Sequence, residues 1–115
     1  MKIQSIKSHP QSPVDMPGAS NARIRLLIGP KDGATNFHMR HFEIGPGGCT
    51  PYHQHDYEHE VVVLAGRGSL RTDADHRPFE AGDVIFVPPG QLHQFLNASP
   101  QPLELICLIP AGGQP

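Results

Sequence analysis

Closely spaced glycines and prolines divide this chain into short apolar runs, and this division limits what the chain can fold into. The 115 residues include 13 Pro and 12 Gly. No window of about 11 residues carries the apolar stripe of an amphipathic helix. The runs are rich in Val, Ile and Leu, which favours strands. The predicted strands cover residues 22–29, 36–44, 52–56, 59–66, 68–73, 83–88, 92–97 and 103–110. Many short strands joined by turns predict an all-β fold, an antiparallel sandwich or barrel.

The turns and the N-terminal composition predict how the chain is organised. Residues 45–48, Gly-Pro-Gly-Gly, are expected to form a sharp turn. Residues 73–76 are expected to form a hairpin tip. Residues 1–20 are rich in Pro, Ser and Gly and predict a loose arm that could add an edge strand. Residues 21–115 then form a single barrel domain.

Four histidines indicate a metal site within this β-structure. His53, His55 and His59 crowd into seven residues, and His93 follows on a later predicted strand. Residues separated by an even number point to the same face of an extended chain. Neutral imidazole is also the commonest protein ligand for transition metals. A buried polar group without such a partner would be costly, so the four rings are expected to bind one divalent ion.

Composition argues against several classes of partner. The formal charge is −2 with nine Lys and Arg in total, and no basic stripe exists, so nucleic acid is not expected. No apolar stretch is long enough for a signal peptide or a membrane span, which predicts a cytoplasmic protein that binds no membrane. Cys49 and Cys107 are expected to be separate thiols.

Two motifs make the chain resemble a cupin, a small jelly-roll β-barrel, over roughly residues 22–110. In the first motif, Gly47 precedes His53 and His55, and Gly66 closes it, but His59 stands where cupins usually have Glu. The second motif is matched without exception by the positions Gly82, Pro88, Gly90, His93 and Asn97. The chain is similar in particular to small bacterial cupins with a four-histidine manganese site. The resemblance therefore implies manganese, while the donor chemistry also suits Fe, Ni, Cu or Zn.

The third ligand has two candidates, His59 and Glu60. The six-residue spacing back from Gly66 reaches His59, and strand alternation places His59 on the same face as Val61. A local bulge would turn Glu60 inward instead. The sequence favours His59 and leaves the Glu60 alternative open.

Other residues are assigned to the pocket or to the fold. The candidate pocket-lining residues are Arg40, Val61, Phe86, Phe95, Leu105, Cys107 and Ile109. Asn97 is expected to pin a turn through side-chain hydrogen bonds. The remaining histidines, which are His9, His38, His41 and His76, are expected to be solvated or polar strand positions.

The function predicted first is a small metalloenzyme with dioxygenase or oxidase chemistry on a small organic substrate. Four neutral ligands leave the ion its full charge, and octahedral coordination would leave positions for water, dioxygen or substrate. The alternatives are a non-redox metal cupin, an isomerase or lyase acting on a sugar-like acid, and a ligand-binding module without turnover. The resemblance also implies a homodimer, with Ile24, Leu26 and Ile28 on an exposed face of the first strand.

Overall fold

The computed structural model describes residues 1–113, and these residues form one curled antiparallel sheet with two 3-10 turns at Ile6–Ser8 and Pro30–Asp32. The strands are β1 (Ser12–Pro13), β2 (Ser20–Ile28), β3 (Phe37–Cys49), β4 (His59–Ala65), β5 (Arg67–Arg71), β6 (His76–Glu80), β7 (Val84–Val87), β8 (Gln94–Leu96) and β9 (Leu103–Pro110). The predicted all-β jelly-roll barrel is therefore confirmed. No helix within residues 1–113 is long and apolar enough to span a membrane.

The sheet curls around a long central strand, β3. The sheet runs β6-β5-β8-β3-β9-β4-β7, and β2 also pairs with β3, with β1 beyond it at the edge. All of these pairings are antiparallel. β3 reaches both sides of the barrel because its first part pairs with β9 and its last residue, Cys49, pairs with Leu96 of β8.

Strict alternation along β4 and β9 separates the inside of the barrel from the outside. On β9, Leu103, Leu105 and Cys107 are buried and the residues between them are only partly covered. Ile44 of β3 and Val63 of β4 complete a core in which each of these apolar side chains is at most 3% exposed. Period-two alternation is what a strand with one face on a core requires, and β9 spans the predicted residues.

The expected sharp turn at residues 45–48 is wrong, because β3 continues through it to Cys49. The pairing with β2 jumps from Ala22↔Ile44 to Ser20↔Cys49, so the Gly-Pro-Gly-Gly segment is accommodated as a bulge. Gly47, at φ 75°, donates its N–H to the Asn97 carbonyl at 2.7 Å. The glycines thus let β3 change neighbours at a barrel corner without reversing direction.

Two other strand predictions differ from the structure. Residues 52–56 form no strand and make a single bridge, at His53. β6 was not predicted, because its sequence is polar and only Phe79 is buried. The hydrophobic pattern fails at these two segments because cross-strand hydrogen bonds, which the pattern does not encode, determine whether each segment forms a strand.

Asn97 pins the loop between β8 and β9, as predicted. Its side chain is 1% exposed, and its Nδ2 donates to the carbonyls of Ile44 at 2.8 Å and Gln101 at 2.7 Å. Its Oδ1 accepts from the N–H and the hydroxyl of Ser99. Every donor and acceptor of this buried amide is therefore satisfied.

Gly66→Ala should destabilise the fold more than Gly82→Ala. Both glycines have positive φ, +81° and +94°, so either substitution costs about 1–2 kcal/mol of backbone strain. A Cβ at Gly66 would also collide with the Pro102 carbonyl, whereas a Cβ at Gly82 meets open space. Urea unfolding should therefore give a lower midpoint for Gly66→Ala. Equal midpoints would contradict this prediction, because they would show that the Pro102 backbone can move away from the new Cβ without loss of stability.

Candidate metal centre

The four predicted ligands come from three separate segments, and a pair of backbone hydrogen bonds joins two of them. His53 and His55 lie in the loop after β3, His59 begins β4, and His93 precedes β8. The His53 N–H donates to the His93 carbonyl at 3.1 Å, and the His93 N–H donates to the His53 carbonyl at 2.9 Å. The two rings are thereby brought to one face of the loop pair.

All four imidazoles meet inside the barrel mouth. The ring centroids lie 4.2 Å apart for His53 and His55, 4.6 Å for His55 and His59, and 5.1 Å for His59 and His93. Nitrogens of His53, His55 and His93 lie within 4.8 Å of one another. These three rings form the tightest group, and His59 closes the cluster from the β4 side.

His59 faces the cluster and Glu60 faces away from it. His59 is 5% exposed and pairs with Val87, while Glu60 is exposed and pairs with Phe86. The alternation of β4 is regular from His59 to Val63, so no bulge turns Glu60 inward. The orientation derived from strand parity is therefore the one observed.

Hydrogen bonds at the outer nitrogens orient two of the rings. His93 Nδ1 lies 2.8 Å from the Gln91 carbonyl oxygen, which only an Nδ1–H can satisfy, so its Nε2 keeps a lone pair. His59 Nδ1 lies 3.0 Å from Cys107 Sγ. Its Nε2 is buried without a hydrogen-bond partner among the described residues. This nitrogen, buried beside the other three rings, is therefore available to bind a metal ion.

Burial keeps the four rings neutral. It lowers the pKa of His59 to about 2, with the positive charge of Arg40 as the second cause. Burial also lowers the pKa of His55 to about 4, followed by repulsion from His53 and His93. The pKa values of His53 and His93 are lowered too, again mainly by burial. Neutral imidazoles offer the lone pairs that coordination needs, so the donor set fits a divalent transition metal.

The cluster forms one end of an apolar cavity that opens to solvent at its mouth. Five of the predicted lining residues line it, namely Arg40, Val61, Phe95, Leu105 and Cys107. Tyr57 stacks on His55 with ring centroids 4.7 Å apart. Further lining residues, which the sequence analysis did not identify, are Val14, Met16, Phe42, Thr50, Pro51 and Tyr57.

The predicted lining positions of Phe86 and Ile109 are wrong. Phe86 is 59% exposed on the outer surface, because Val87 pairs with His59 and the residue before Val87 must point the other way. Ile109 is buried, but it lies opposite His38 in the core and outside the cavity wall. Two of the missed lining residues could have been found from the sequence. Phe42 lies two positions from Arg40 on β3, and Tyr57 lies two positions before His59, so an extended chain would point each pair to the same face. Val14 and Met16 carried no such signal, since only the tertiary fold brings the arm to the mouth.

The remaining histidines and Cys49 lie outside this cluster. His76 is exposed as expected, and His41 is a polar strand position whose Nε2 lies 2.9 Å from Glu104 Oε1. His38, like His41, is a buried polar position of β3, whereas His9 is buried outside any strand, which corrects its expected solvation. Cys49 is half-buried and unpaired with Cys107, and both thiols are free.

The fold and the site together define a jelly-roll barrel with an imidazole cluster at its mouth, and the comparisons with known proteins agree. A family model described as a cupin domain matches residues 40–109. The chain belongs to the cupin family.

A solved structure and two curated proteins illustrate the range of relatives. The structure of the polyketide cyclase RemF from Streptomyces resistomycificus is 32% identical, with a TM-score of 0.94, and the match covers 100% of this chain and 82% of that one. L-ectoine synthase of Bordetella petrii is 31% identical over 93 residues, which are 78% of this chain and 69% of the relative.

Another curated relative is 1-methylthio-D-xylulose 5-phosphate methylsulfurylase of Rhodospirillum rubrum. It is 30% identical over 73 residues, or 64% of this chain, and the match spans only 47% of the relative's length.

The metal-free protein should lose stability as pH falls from 7 towards 4.5. Unfolded histidine has a pKa of about 6.5, and the folded values are lower, about 4 for His55 and about 2 for His59. The unfolded chain therefore binds more protons in this window, and the free energy of unfolding decreases with decreasing pH. Urea unfolding of chelator-treated protein at several pH values measures this slope.

Two variants test whether the buried imidazoles cause this dependence of unfolding free energy on pH. His59→Gln should make the dependence shallower, because it removes one imidazole whose pKa is lowered in the folded state. The matched control His76→Gln removes an exposed imidazole and should keep the wild-type slope. A wild-type slope in His59→Gln would contradict the assignment.

Proposed function

We propose that this cupin is a metal-dependent enzyme that binds one divalent ion through His53, His55, His59 and His93. We further propose that its reaction is ring-closing chemistry on an apolar substrate with an enolisable carbonyl, as in a polyketide cyclase. The observation that carries the proposal is the cavity, which joins an imidazole cluster to aromatic and aliphatic walls. The similarity to RemF along the whole chain supports this reaction class.

The cavity walls suit a substrate with an apolar body. Phe42, Phe95, Val61 and Leu105 surround the space beside the imidazoles. Ligand sites typically combine such walls with a few polar groups that fix orientation. A planar or aliphatic carbon skeleton would therefore exclude water from the cavity and leave its polar end near the cluster.

The electrostatics suit an oxygen-rich polar end. Arg40 is 6% exposed and lines the cavity, and none of the described lining residues is Asp or Glu. Neutral imidazoles add no negative charge, so the site favours an anionic or strongly polarised oxygen. Arg40 would orient that oxygen, and the bound divalent ion would act as a Lewis acid that acidifies the C–H beside the carbonyl.

Oxidation of a small organic substrate is the second candidate. Imidazole donors suit iron and copper as well as manganese, nickel and zinc, and a four-nitrogen site leaves positions for dioxygen when coordination is octahedral. The cavity serves this chemistry equally, and the two candidates differ in whether dioxygen is consumed. The identity of the native metal, for which the resemblance favours manganese, would help to distinguish the ring-closing reaction from the oxidation.

The test starts with the metal content of protein purified without added metal. The same protein is then incubated in D₂O with benzylacetone, a simple aryl ketone, and exchange at the carbon beside the carbonyl is followed by NMR, with dioxygen uptake measured in parallel. Enolisation chemistry predicts metal-dependent exchange without dioxygen uptake. Dioxygen uptake with a substrate panel would instead support the oxidative candidate, and absence of bound metal would overturn both.

His59→Ala should weaken metal binding, and Glu60→Ala should not. The two residues are neighbours on β4 that face opposite sides, so Glu60 is a matched control. Loss of even an outer partner of a ligand costs roughly 10-fold or more in affinity, and loss of a ligand should cost at least as much. Titration with Co²⁺, followed by its visible absorption, measures both variants. A larger loss in Glu60→Ala would contradict the four-histidine site.

We also propose that the protein is a homodimer joined through the outer face of β7 and its neighbours. Val84 and Phe86 are 80% and 59% exposed, and they adjoin Met39, Val62, Ile106 and Leu108 on the same surface, where Glu60 is the one charged residue among the described lining residues. Contiguous exposed apolar surface of this kind marks interaction sites, and a two-fold pair buries the same patch on both copies. On β2, Leu26 and Ile28 are also exposed, but Ile24 is partly buried.

Phe86→Glu should convert this dimer to a monomer, because each copy would place a second carboxylate beside Glu60 within the interface. Light scattering coupled to size exclusion measures the mass. Gln101→Glu adds the same charge at an exposed loop position and should leave the mass unchanged. A monomeric wild-type protein at micromolar concentration would contradict the proposal.

A further inference from the structure

Three side chains meet at Nδ1 of His59, beside the imidazole cluster. Cys107 Sγ lies 3.0 Å from His59 Nδ1 and 3.2 Å from Arg40 Nη2. Arg40 Nη2 is also 3.4 Å from His59 Nδ1. All three side chains are at most 6% exposed. The contact is therefore shielded from water, and its hydrogen bonds form in a low-dielectric environment.

The position of one proton decides what His59 can do. If Nδ1 carries the proton, it donates to Cys107 Sγ, and Nε2 presents a lone pair to the cluster. If Nδ1 is bare, it accepts from the Cys107 thiol and from the Arg40 N–H, and Nε2–H points at the cluster. Only the first arrangement leaves His59 able to ligate through Nε2.

We propose that Cys107 is a positioning residue, whose sulfur accepts the Nδ1–H of His59 and so directs the Nε2 lone pair of His59 to the metal site. The inference rests on the proposed metal centre and adds the residue that prepares one of its ligands. Metal-bound histidines almost always donate their second N–H to a carboxylate, carbonyl or water. Here a buried thiol takes that place.

Arg40 fixes the sulfur in this role. Its Nη2–H donates to Cys107 Sγ at 3.2 Å, so the thiol hydrogen does not point at Arg40 and the sulfur acts as an acceptor. The thiol hydrogen is then left to point elsewhere, and the Leu108 carbonyl lies 3.9 Å from Sγ. Without the sulfur, the donor facing His59 Nδ1 would be Arg40, which favours the bare-Nδ1 form and opposes ligation.

The experiment compares Cys107→Val and Cys107→Ala, which cannot accept a hydrogen bond, with Cys107→Ser, which can. Two variants without an acceptor are used so that one poorly folded protein does not decide the result. Cys49→Ala is the matched control, because Cys49 is the other free thiol and its Sγ contacts the Gly18 carbonyl at 3.4 Å, away from the cavity. Circular dichroism and thermal unfolding identify the variants that retain the barrel.

The first measurement is the ¹⁵N NMR signature of the His59 ring in metal-free protein, assigned by its loss in His59→Gln. The wild type and Cys49→Ala should show the Nδ1–H form. Cys107→Val and Cys107→Ala should shift to the Nε2–H form, and Cys107→Ser should restore Nδ1–H at least in part. An unchanged Nδ1–H form in both acceptor-free variants would overturn the inference.

The second measurement is Co²⁺ affinity. The acceptor-free variants should bind about 10- to 100-fold more weakly than the wild type, as for other outer partners of metal ligands. Affinity equal to that of Cys49→Ala would overturn the inference. If the wild type binds no Co²⁺, Mn²⁺ or Zn²⁺, the proposed metal function fails, while the tautomer measurement still decides the role of Cys107.

Discussion

The reciprocal backbone hydrogen bonds between His53 and His93 are the contact on which the candidate site depends. They join the loop after β3 to the segment before β8, which are 40 positions apart along the chain. Two ligands on separate flexible segments would otherwise lose much entropy when brought together. The barrel provides this order in advance, because β3 already pairs with β8 at Cys49 and Leu96 just below.

Burial of the four imidazoles lowers the stability of the folded state at low pH, and the same burial gives the cluster its capacity to bind a cation. Burial and the charge of Arg40 keep the four imidazoles neutral, so they weaken the folded state at low pH. The same neutrality leaves their lone pairs free to bind a cation. Groups with strongly perturbed pKa values gathered in one cavity are typical of functional sites, and a purely structural barrel would have filled this mouth with aliphatic side chains.

Strand alternation divides the molecule into two surfaces with different roles. The inward residues of β4 and β9 form the cavity wall and the core, from His59 and Cys107 at the mouth to Val63 and Leu105 below. The outward residues of β4, β7 and β9 form the apolar patch that includes Phe86. The His59 and Phe86 variants therefore change side chains on opposite faces of the sheet.

The sequence by itself determined the strand-rich fold, the limits of β9 and the inward face of His59. These features follow from local rules, namely side-chain alternation along a strand and the spacing of turn residues. The grouping of His93 with the other three histidines was expected from its place in the second cupin motif. The tertiary structure alone decided that residues 45–48 continue β3, that Phe86 faces outward, that Val14 and Met16 reach the cavity, and that Cys107 contacts His59. Pairing register and contacts between distant segments set these features, and no local pattern of side chains records which strands will meet.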